Sequence, residues 1–148
     1  IYWPSLLGKG FRRKPEGDWP NPLFNYGYAV LRAASLRSLC AVGLLPSFGI
    51  HHADPQNPNA LADDLMEVYR PLVDMYALRV LGRGLTEMNR LAKEGITSFI
   101  WADLSYGGVT TPFHQALETF AYSLVKSYET KKECLEIPRF VLSPNMND

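Results

Sequence analysis

The sequence predicts a mainly α-helical, multi-helix domain with one short β-hairpin. Long segments repeat apolar residues at helical spacing, and prolines and glycines separate these segments. Only the stretch SFIWADLSYGGVTTPF, residues 98–113, has the composition of strands around a tight turn. Because 47% of the 148 residues are hydrophobic, the chain can form one domain with an ordinary core, which excludes intrinsic disorder and collagen-like order.

The first residues, IYWPSLLGKG, form an aromatic and aliphatic cluster without an initial methionine. We interpret this cluster as the end of a helix begun earlier, and the chain as part of a longer protein. Residues 8–22 are predicted to be a basic loop, since three glycines and three prolines alternate with charges without periodicity. A helix is predicted from Leu23 to Val42, ended by Gly43, and its many small residues favour close packing.

A second long helix is predicted from Ala60 to Leu81, with Asn59 as its N-cap and a kink at Pro71. Its core stripe follows a helical period and consists of Leu61, Leu65, Val68, Leu72, Met75 and Tyr76. A shorter helix is predicted from Thr86 to Lys93, stopping at Gly95.

The remaining elements are a hairpin and a final helix. The hairpin turns at Tyr106-Gly107-Gly108, and Thr111-Pro112 starts a helix that runs to about Tyr128. The apolar face of this helix consists of Phe113, Ala116, Leu117, Phe120 and Leu124. From about residue 131 the tail is polar and predicted to be loose, with three residues that could dock on the domain: Ile137, Phe140 and Val141.

Charge is balanced overall but not along the chain. Residues 1–45 carry six basic and two acidic side chains, whereas residues 46–74 carry one basic and five acidic side chains. No overall positive field therefore attracts nucleic acid or a membrane, and no apolar run is long enough to span a bilayer. Because Cys40 and Cys134 lack metal or redox spacing, we expect a soluble protein of the reducing cytoplasm.

The helix predicted at 60–81 carries the most specific chemical pattern. Asp64 and Glu67 are three residues apart and so share a helix face, and His51 and His52 precede this helix in a loop. Carboxylates with one imidazole suit Mg²⁺ or Mn²⁺ better than Zn²⁺. Two other interpretations stay open: acids are favoured near any helix N-terminus, and a histidine pair in a loop is often solvated. His114 is interpreted as structural or exposed.

The basic loop could contact phosphates through Lys9, Arg12, Arg13 and Lys14, with the rings of Phe11 and Trp19 between them. Solvated charge in a loop explains the same residues equally well. No arrangement of a nucleophile with a histidine and an acid can be identified.

Three segments together resemble a known family: NYGYAVLRAA at 25–34, GLLPSFGIHH at 43–52 and LADDLMEVYRPLVD at 61–74. In order and spacing they resemble the helical C-terminal catalytic domain of the CRISPR adaptation integrases, the Cas-one family. Members of that family carry an N-terminal β domain, which this sequence lacks. The resemblance implies a divalent metal, Mg²⁺ or Mn²⁺, held by a glutamate, a histidine and a second acid.

The resemblance assigns these roles to particular residues. The family's Gly-x-x-His segment selects His52 over His51, and its Asp-x-x-acid step makes Glu67 the second ligand, with Asp64 as a supporting acid. The first glutamate lies before the aromatic run in the family and is therefore outside this sequence. Glu16, which follows that run, does not replace it.

The resemblance also implies an activity and partners. The intact protein would be a metal-dependent DNA endonuclease and integrase that inserts short spacers into a CRISPR array by transesterification. Its partners would be double-stranded DNA of spacer and repeat, a Cas-two family protein and a second copy of itself, without a membrane. Two alternatives stay open: a non-catalytic helical DNA- or protein-binding module, and an unrelated helical metalloprotein.

Overall fold

Helices form most of the described chain, as the sequence predicts. The computed structural model describes residues 2–52, 54–106 and 108–138. Its elements in order are α1 (Tyr2–Leu7), α2 (Asn21–Ala41), α3 (Ala60–Glu67), α4 (Arg70–Gly82), α5 (Arg90–Thr97), a 3₁₀ turn (Ser98–Trp101), β1 (Asp103–Tyr106), β2 (Val109–Pro112) and α6 (Phe113–Thr130).

Helix α2 is the centre of the domain, because it packs against α3, α4, α5 and α6. The side chains on its inner face, among them Phe24 and Leu31, are fully buried. A Cβ atom at Gly27 would lie 2.6 Å from Val73 Cγ1 and 2.9 Å from Ile96 Cγ1, so close packing at this position requires a glycine. The predicted close packing of α2 is confirmed here.

The end of α2 agrees with its predicted glycine stop. Gly43 has a φ of +80°, and its N–H donates to the Cys40 carbonyl at 3.1 Å. The Leu44 N–H donates to the Leu39 carbonyl at 2.9 Å. These two bonds satisfy carbonyls that the helix end would otherwise leave unpaired, which is why the chain turns away here.

The prediction of one continuous helix over 60–81 is wrong. The segment is divided into α3 and α4, with the break at Val68 and Tyr69. Pro71 lies in the first turn of α4, where its missing N–H removes no helical hydrogen bond. The Tyr69 ring is fully buried and contacts the rings of Phe113 and Phe120, so tertiary packing fixes the break just before the proline.

The helix predicted at 86–93 is also wrong in position. Helix α5 begins at Arg90, because the Asn89 side chain accepts a hydrogen bond from the Ala92 N–H at 3.0 Å and caps the helix. Gly95 lies inside α5 instead of ending it. A Cβ there would lie 2.7 Å from Val80 Cγ2, so this glycine allows α5 to approach α4 closely.

The predicted hairpin and final helix are confirmed. Strands β1 and β2 are antiparallel, with Asp103 opposite Pro112 and Tyr106 opposite Val109. Gly107, in the predicted turn, lies outside the described residues. Helix α6 begins at Phe113, one residue later than predicted, since Thr111 and Pro112 belong to β2, and all five residues of its predicted apolar face are buried.

Residues 131–138 follow α6 and bond back to it. The Cys134 N–H donates to Ser127 Oγ at 3.0 Å, and the Glu136 N–H donates to Ser123 Oγ at 3.1 Å. The Ile137 side chain is 61% exposed, so its predicted docking is wrong, whereas Phe140 and Val141 lie outside the described residues, as does Ile1. Within the described part of the chain, no helix is both long and apolar enough to cross a bilayer.

Candidate catalytic site

Asp64 binds the loop that carries the histidine pair. In the second turn of α3, its Oδ2 accepts N–H bonds from Ile50 at 2.5 Å and His51 at 2.9 Å, and its Oδ1 accepts the His52 N–H at 3.1 Å. The same Oδ1 lies 2.5 Å from His52 Nδ1. Burial acts to raise the pKa of Asp64, but these hydrogen bonds outweigh it and hold that pKa below its ordinary value.

This arrangement distinguishes the two histidines. When the neutral His52 ring donates its Nδ1–H to Asp64, the other ring nitrogen, Nε2, keeps its lone pair for a further ligand. His51 contributes its backbone N–H to Asp64, and its exposed ring meets the His52 ring edge-on, with ring centres 5.8 Å apart. The structure therefore brings His52 and Asp64 together, as predicted for the pair.

Gly49 allows the loop to fold back over α3. A Cβ at this position would lie 2.3 Å from the His52 carbonyl oxygen and 2.8 Å from Ala60 Cβ. Any side chain would therefore push the histidine away from the helix. The Pro46 carbonyl accepts the Leu61 N–H at 2.7 Å and ties the same loop to the first turn of α3.

Glu67, the second predicted ligand, is the last residue of α3 and lies one turn beyond Asp64. Its Oε1 is 3.1 Å from Nη2 of Arg70, the first residue of α4, and both side chains are nearly half exposed. Among the described residues, no group of three or more His, Cys, Asp or Glu side chains is placed to hold a metal ion. The chemistry of His52 and Glu67 suits Mg²⁺ or Mn²⁺, and these two residues would form part of the metal's ligand shell.

Beside His52 lies an open cavity of roughly 420 Å³ between α2 and the α3–α4 region. Its walls are formed by Asn25, Tyr28, Ala29, Arg32, Ala33, Leu36, His52, Asp63, Met66 and Arg70. Sequence reasoning did not identify the two arginines as members of this site.

Arg32 and Asp63 form a bidentate ion pair. Arg32 Nε donates to Asp63 Oδ1 at 2.6 Å, and Arg32 Nη2 donates to Asp63 Oδ2. Asn57 Nδ2 donates to the same Oδ2 at 2.8 Å. Burial raises the pKa of Asp63, but the bonds from Arg32 and Asn57 outweigh it and lower that pKa, so the carboxylate stays ionised. The sequence signal that could have identified Arg32 was its position as a basic residue in a helix otherwise rich in small residues.

A second buried acid, Asp74, binds Tyr28, which is one of the residues that line the cavity. It accepts the Tyr2 hydroxyl at 2.6 Å and also the Tyr28 hydroxyl. Burial raises the pKa of Asp74 above its ordinary value, although the two hydroxyls and nearby arginines oppose this shift. The guanidinium groups of Arg13 and Arg70 lie 5.6 Å and 5.0 Å from the centre of the Tyr28 ring.

Arg13 is therefore engaged inside the domain, unlike the other predicted DNA-binding residues. Its Nη1 donates to Asn21 Oδ1 at 3.0 Å and its Nη2 donates to Asn25 Oδ1 at 2.5 Å. Burial lowers the pKa of Arg13 from its ordinary value. The remaining three cations of the basic loop, Lys9, Arg12 and Lys14, are exposed, and their contact with DNA stays a prediction.

Comparisons with known proteins agree on one family. The family model described as CRISPR associated protein Cas1 matches residues 9–103. The CRISPR-associated endonuclease Cas1 of Neisseria meningitidis serogroup C is 40% identical over 84 residues, which cover 57% of this chain and 27% of the relative. A CRISPR-associated endonuclease Cas1 of Thermus thermophilus is 40% identical over 88 residues, which cover 58% of this chain and 28% of the relative.

A solved structure supports the same relationship. A casposase bound to integration product superposes with a TM-score of 0.75 at 26% identity, over 90% of this chain and 45% of that chain. The chain thus spans less than a third of the length of these two curated relatives and less than half of the casposase chain.

Proposed function

The chain belongs to the CRISPR associated protein Cas1 family, and from this membership we propose that it is the helical catalytic part of a DNA integrase. The intact protein would insert short DNA spacers into a CRISPR array by metal-dependent transesterification. Relatives named as endonucleases and a casposase bound to integration product support this proposal. The observation that carries it in this chain is the His52–Asp64 pair at the edge of a cavity that contains two arginines.

In the proposed reaction, a DNA 3′-hydroxyl attacks a backbone phosphate, so one P–O bond forms while another breaks. Mg²⁺ or Mn²⁺, held by His52 Nε2, Glu67 and the glutamate that the family resemblance places before residue 1, would offset the phosphate charge. Asp64 fixes the tautomer and the orientation of the His52 ring. Arg70 balances the charge of Glu67. Because both side chains of that pair are nearly half exposed, the pair contributes at most about 1 kcal/mol, and another cation can compete for Glu67.

Binding of duplex DNA is a second part of the proposal. Exposed Lys9, Arg12 and Lys14 would contact backbone phosphates, which position a duplex without reading its sequence. A Cas-two family protein and a second copy of the intact protein are proposed as partners. Light scattering on the intact protein, alone and mixed with a Cas-two family protein, tests both assemblies.

A strand-transfer assay with the intact protein tests the catalytic assignment. We expect His52→Ala and Glu67→Gln to lower joining at least about 100-fold, because each removes a predicted ligand. His51→Ala is the matched control and should stay within about threefold of wild type, since His51 contributes its backbone to Asp64. Joining by His52→Ala at the wild-type rate would refute the site.

The rival proposal is a non-catalytic helical binding module, in which His52 and Glu67 would hold no metal. Equilibrium titration with Mn²⁺ separates the two: saturable binding that His52→Ala abolishes supports the metal site, and no binding supports the module. The 148 residues alone are expected to bind DNA weakly, with a steep salt dependence, and to join none. Membership of the family argues against the third possibility, an unrelated metalloprotein.

A further inference from the structure

Arg32 stays partly exposed in the cavity although it is paired with Asp63. Its side chain is 42% exposed and lines the same cavity as His52, whereas the side chain of Asp63 is 11% exposed. Both residues line the cavity, and the Arg32 side chain is the more exposed member of the pair.

The ion pair leaves hydrogen-bond donors of Arg32 available. Asp63 accepts from Nε and Nη2, and no hydrogen bond from Nη1 occurs within the described residues. Guanidinium donors have a fixed planar geometry that matches the oxygens of a phosphate group. Because Asp63 holds the plane at two points, the remaining donors are oriented before any ligand arrives.

The space and charge around Arg32 favour a phosphate over a neutral ligand. Ala29 and Ala33, neighbours on α2, are exposed and small, so a DNA backbone can approach the helix closely. Arg70 adds a second guanidinium to the cavity wall. Arg32 and the Asn57 amide both donate hydrogen bonds to the Asp63 carboxylate. These bonds weaken the repulsion between that carboxylate and an incoming anion.

We propose that Arg32 binds a backbone phosphate of the DNA substrate beside His52, and that Asp63 positions its guanidinium. This inference rests on the proposed function and adds to it a substrate-binding residue outside the basic loop.

The test measures DNA affinity against salt concentration by fluorescence anisotropy, using the intact protein and a short duplex. Each phosphate contact contributes about 0.9 to the slope of log affinity against log salt. Arg32→Gln should lower that slope by about one and slow strand transfer at least about tenfold. Arg37→Gln is the matched control, because Arg37 is exposed on the same helix and lines a different cavity. Its slope should equal that of wild type.

Two further variants separate a contact role from a folding role. Arg32→Gln combined with Asp63→Asn removes both charges and avoids an unpaired buried carboxylate, so it should fold and show the same lower slope. Asp63→Asn alone should keep the wild-type slope but lower the joining rate at saturating DNA, because the cation remains but loses its fixed orientation. An unchanged slope and joining rate in both Arg32 variants would overturn the inference. If the wild-type protein joins no DNA, the proposed function fails instead, and the slopes still decide whether Arg32 contacts phosphate.

Discussion

Asp64→Asn should keep most of the conformation of the His52 loop but change the tautomer of the His52 ring. Asparagine has nearly the same size as aspartate, but one carboxylate oxygen becomes an NH₂ donor. Its remaining oxygen can keep the amides of Ile50 and His51, which now bond to Oδ2. The NH₂ group then faces the His52 backbone N–H and ring Nδ1, where Oδ1 now accepts. The ring can keep a bond only by accepting at Nδ1, which moves its proton to Nε2.

The expected loss of stability is small and the expected loss of activity is large. The His52 backbone N–H loses its acceptor and the ring bond is reversed, which should cost about 1–2 kcal/mol in the free energy of unfolding. Protonated Nε2 offers no lone pair, so strand transfer should fall at least about 100-fold. The folded pKa of Asp64 lies below its ordinary 3.8, so its stabilisation is present above that pH and is lost as pH falls through the folded value. The variant should therefore lose less stability than wild type as the pH falls below 3.8.

Nitrogen NMR of the imidazole measures this effect without metal or DNA. In wild type, we expect the Nδ1-protonated tautomer of His52, and in Asp64→Asn the Nε2-protonated tautomer. Urea denaturation gives the stability difference, and His51→Ala serves as the control for unrelated changes in the loop. A variant that keeps the wild-type tautomer and also joins DNA normally would refute this explanation of the role of Asp64.

Three further predictions concern packing and charge. Gly27→Ala should lower the free energy of unfolding by about 1–3 kcal/mol because its Cβ meets side chains of α4 and α5, whereas Gly82→Ala, with open space around it, should be neutral or slightly stabilising in the same denaturation experiment. Arg13→Gln should destabilise the fold by about 1–3 kcal/mol, whereas Arg12→Gln should stay within about 0.5 kcal/mol and instead lower the salt slope of DNA binding. The contribution of Asp74, whose pKa is raised in the fold, is greatest below pH 3.8 and falls as pH rises through the folded value, so Asp74→Asn should cost less stability at pH 7 than at pH 3 in urea titrations.

Local patterns were sufficient for most of the fold. Helix α2 was predicted within two residues at its start and one at its end, because Gly43 and the apolar period are both local signals. The two errors have different causes. The break between α3 and α4 depends on Tyr69 packing against the distant helix α6. The start of α5 was misplaced although its cap, Asn89, is a local signal in the sequence.

Only part of the candidate site could be predicted from the sequence. Family spacing selected His52 and Asp64, and the structure places them in contact. The spacing could not show that Asp64 accepts three backbone N–H groups, because this depends on how the glycine-containing loop folds over α3. Arg32 was missed because its partner, Asp63, is 31 residues away, and each residue alone has an ordinary local explanation.

Two adjacent acids of α3, Asp63 and Asp64, position two of the residues that line the cavity, Arg32 and His52. Consecutive residues of a helix point about 100° apart, so Asp63 and Asp64 serve different neighbours. Asp63 binds Arg32 on α2, and Asp64 binds the loop that carries His52. Arg32, the proposed phosphate-binding residue, and His52, the proposed metal ligand, are thus each bound by one of two neighbouring residues of α3. The position of Arg32 relative to His52 is therefore set through two neighbouring residues of a single helix.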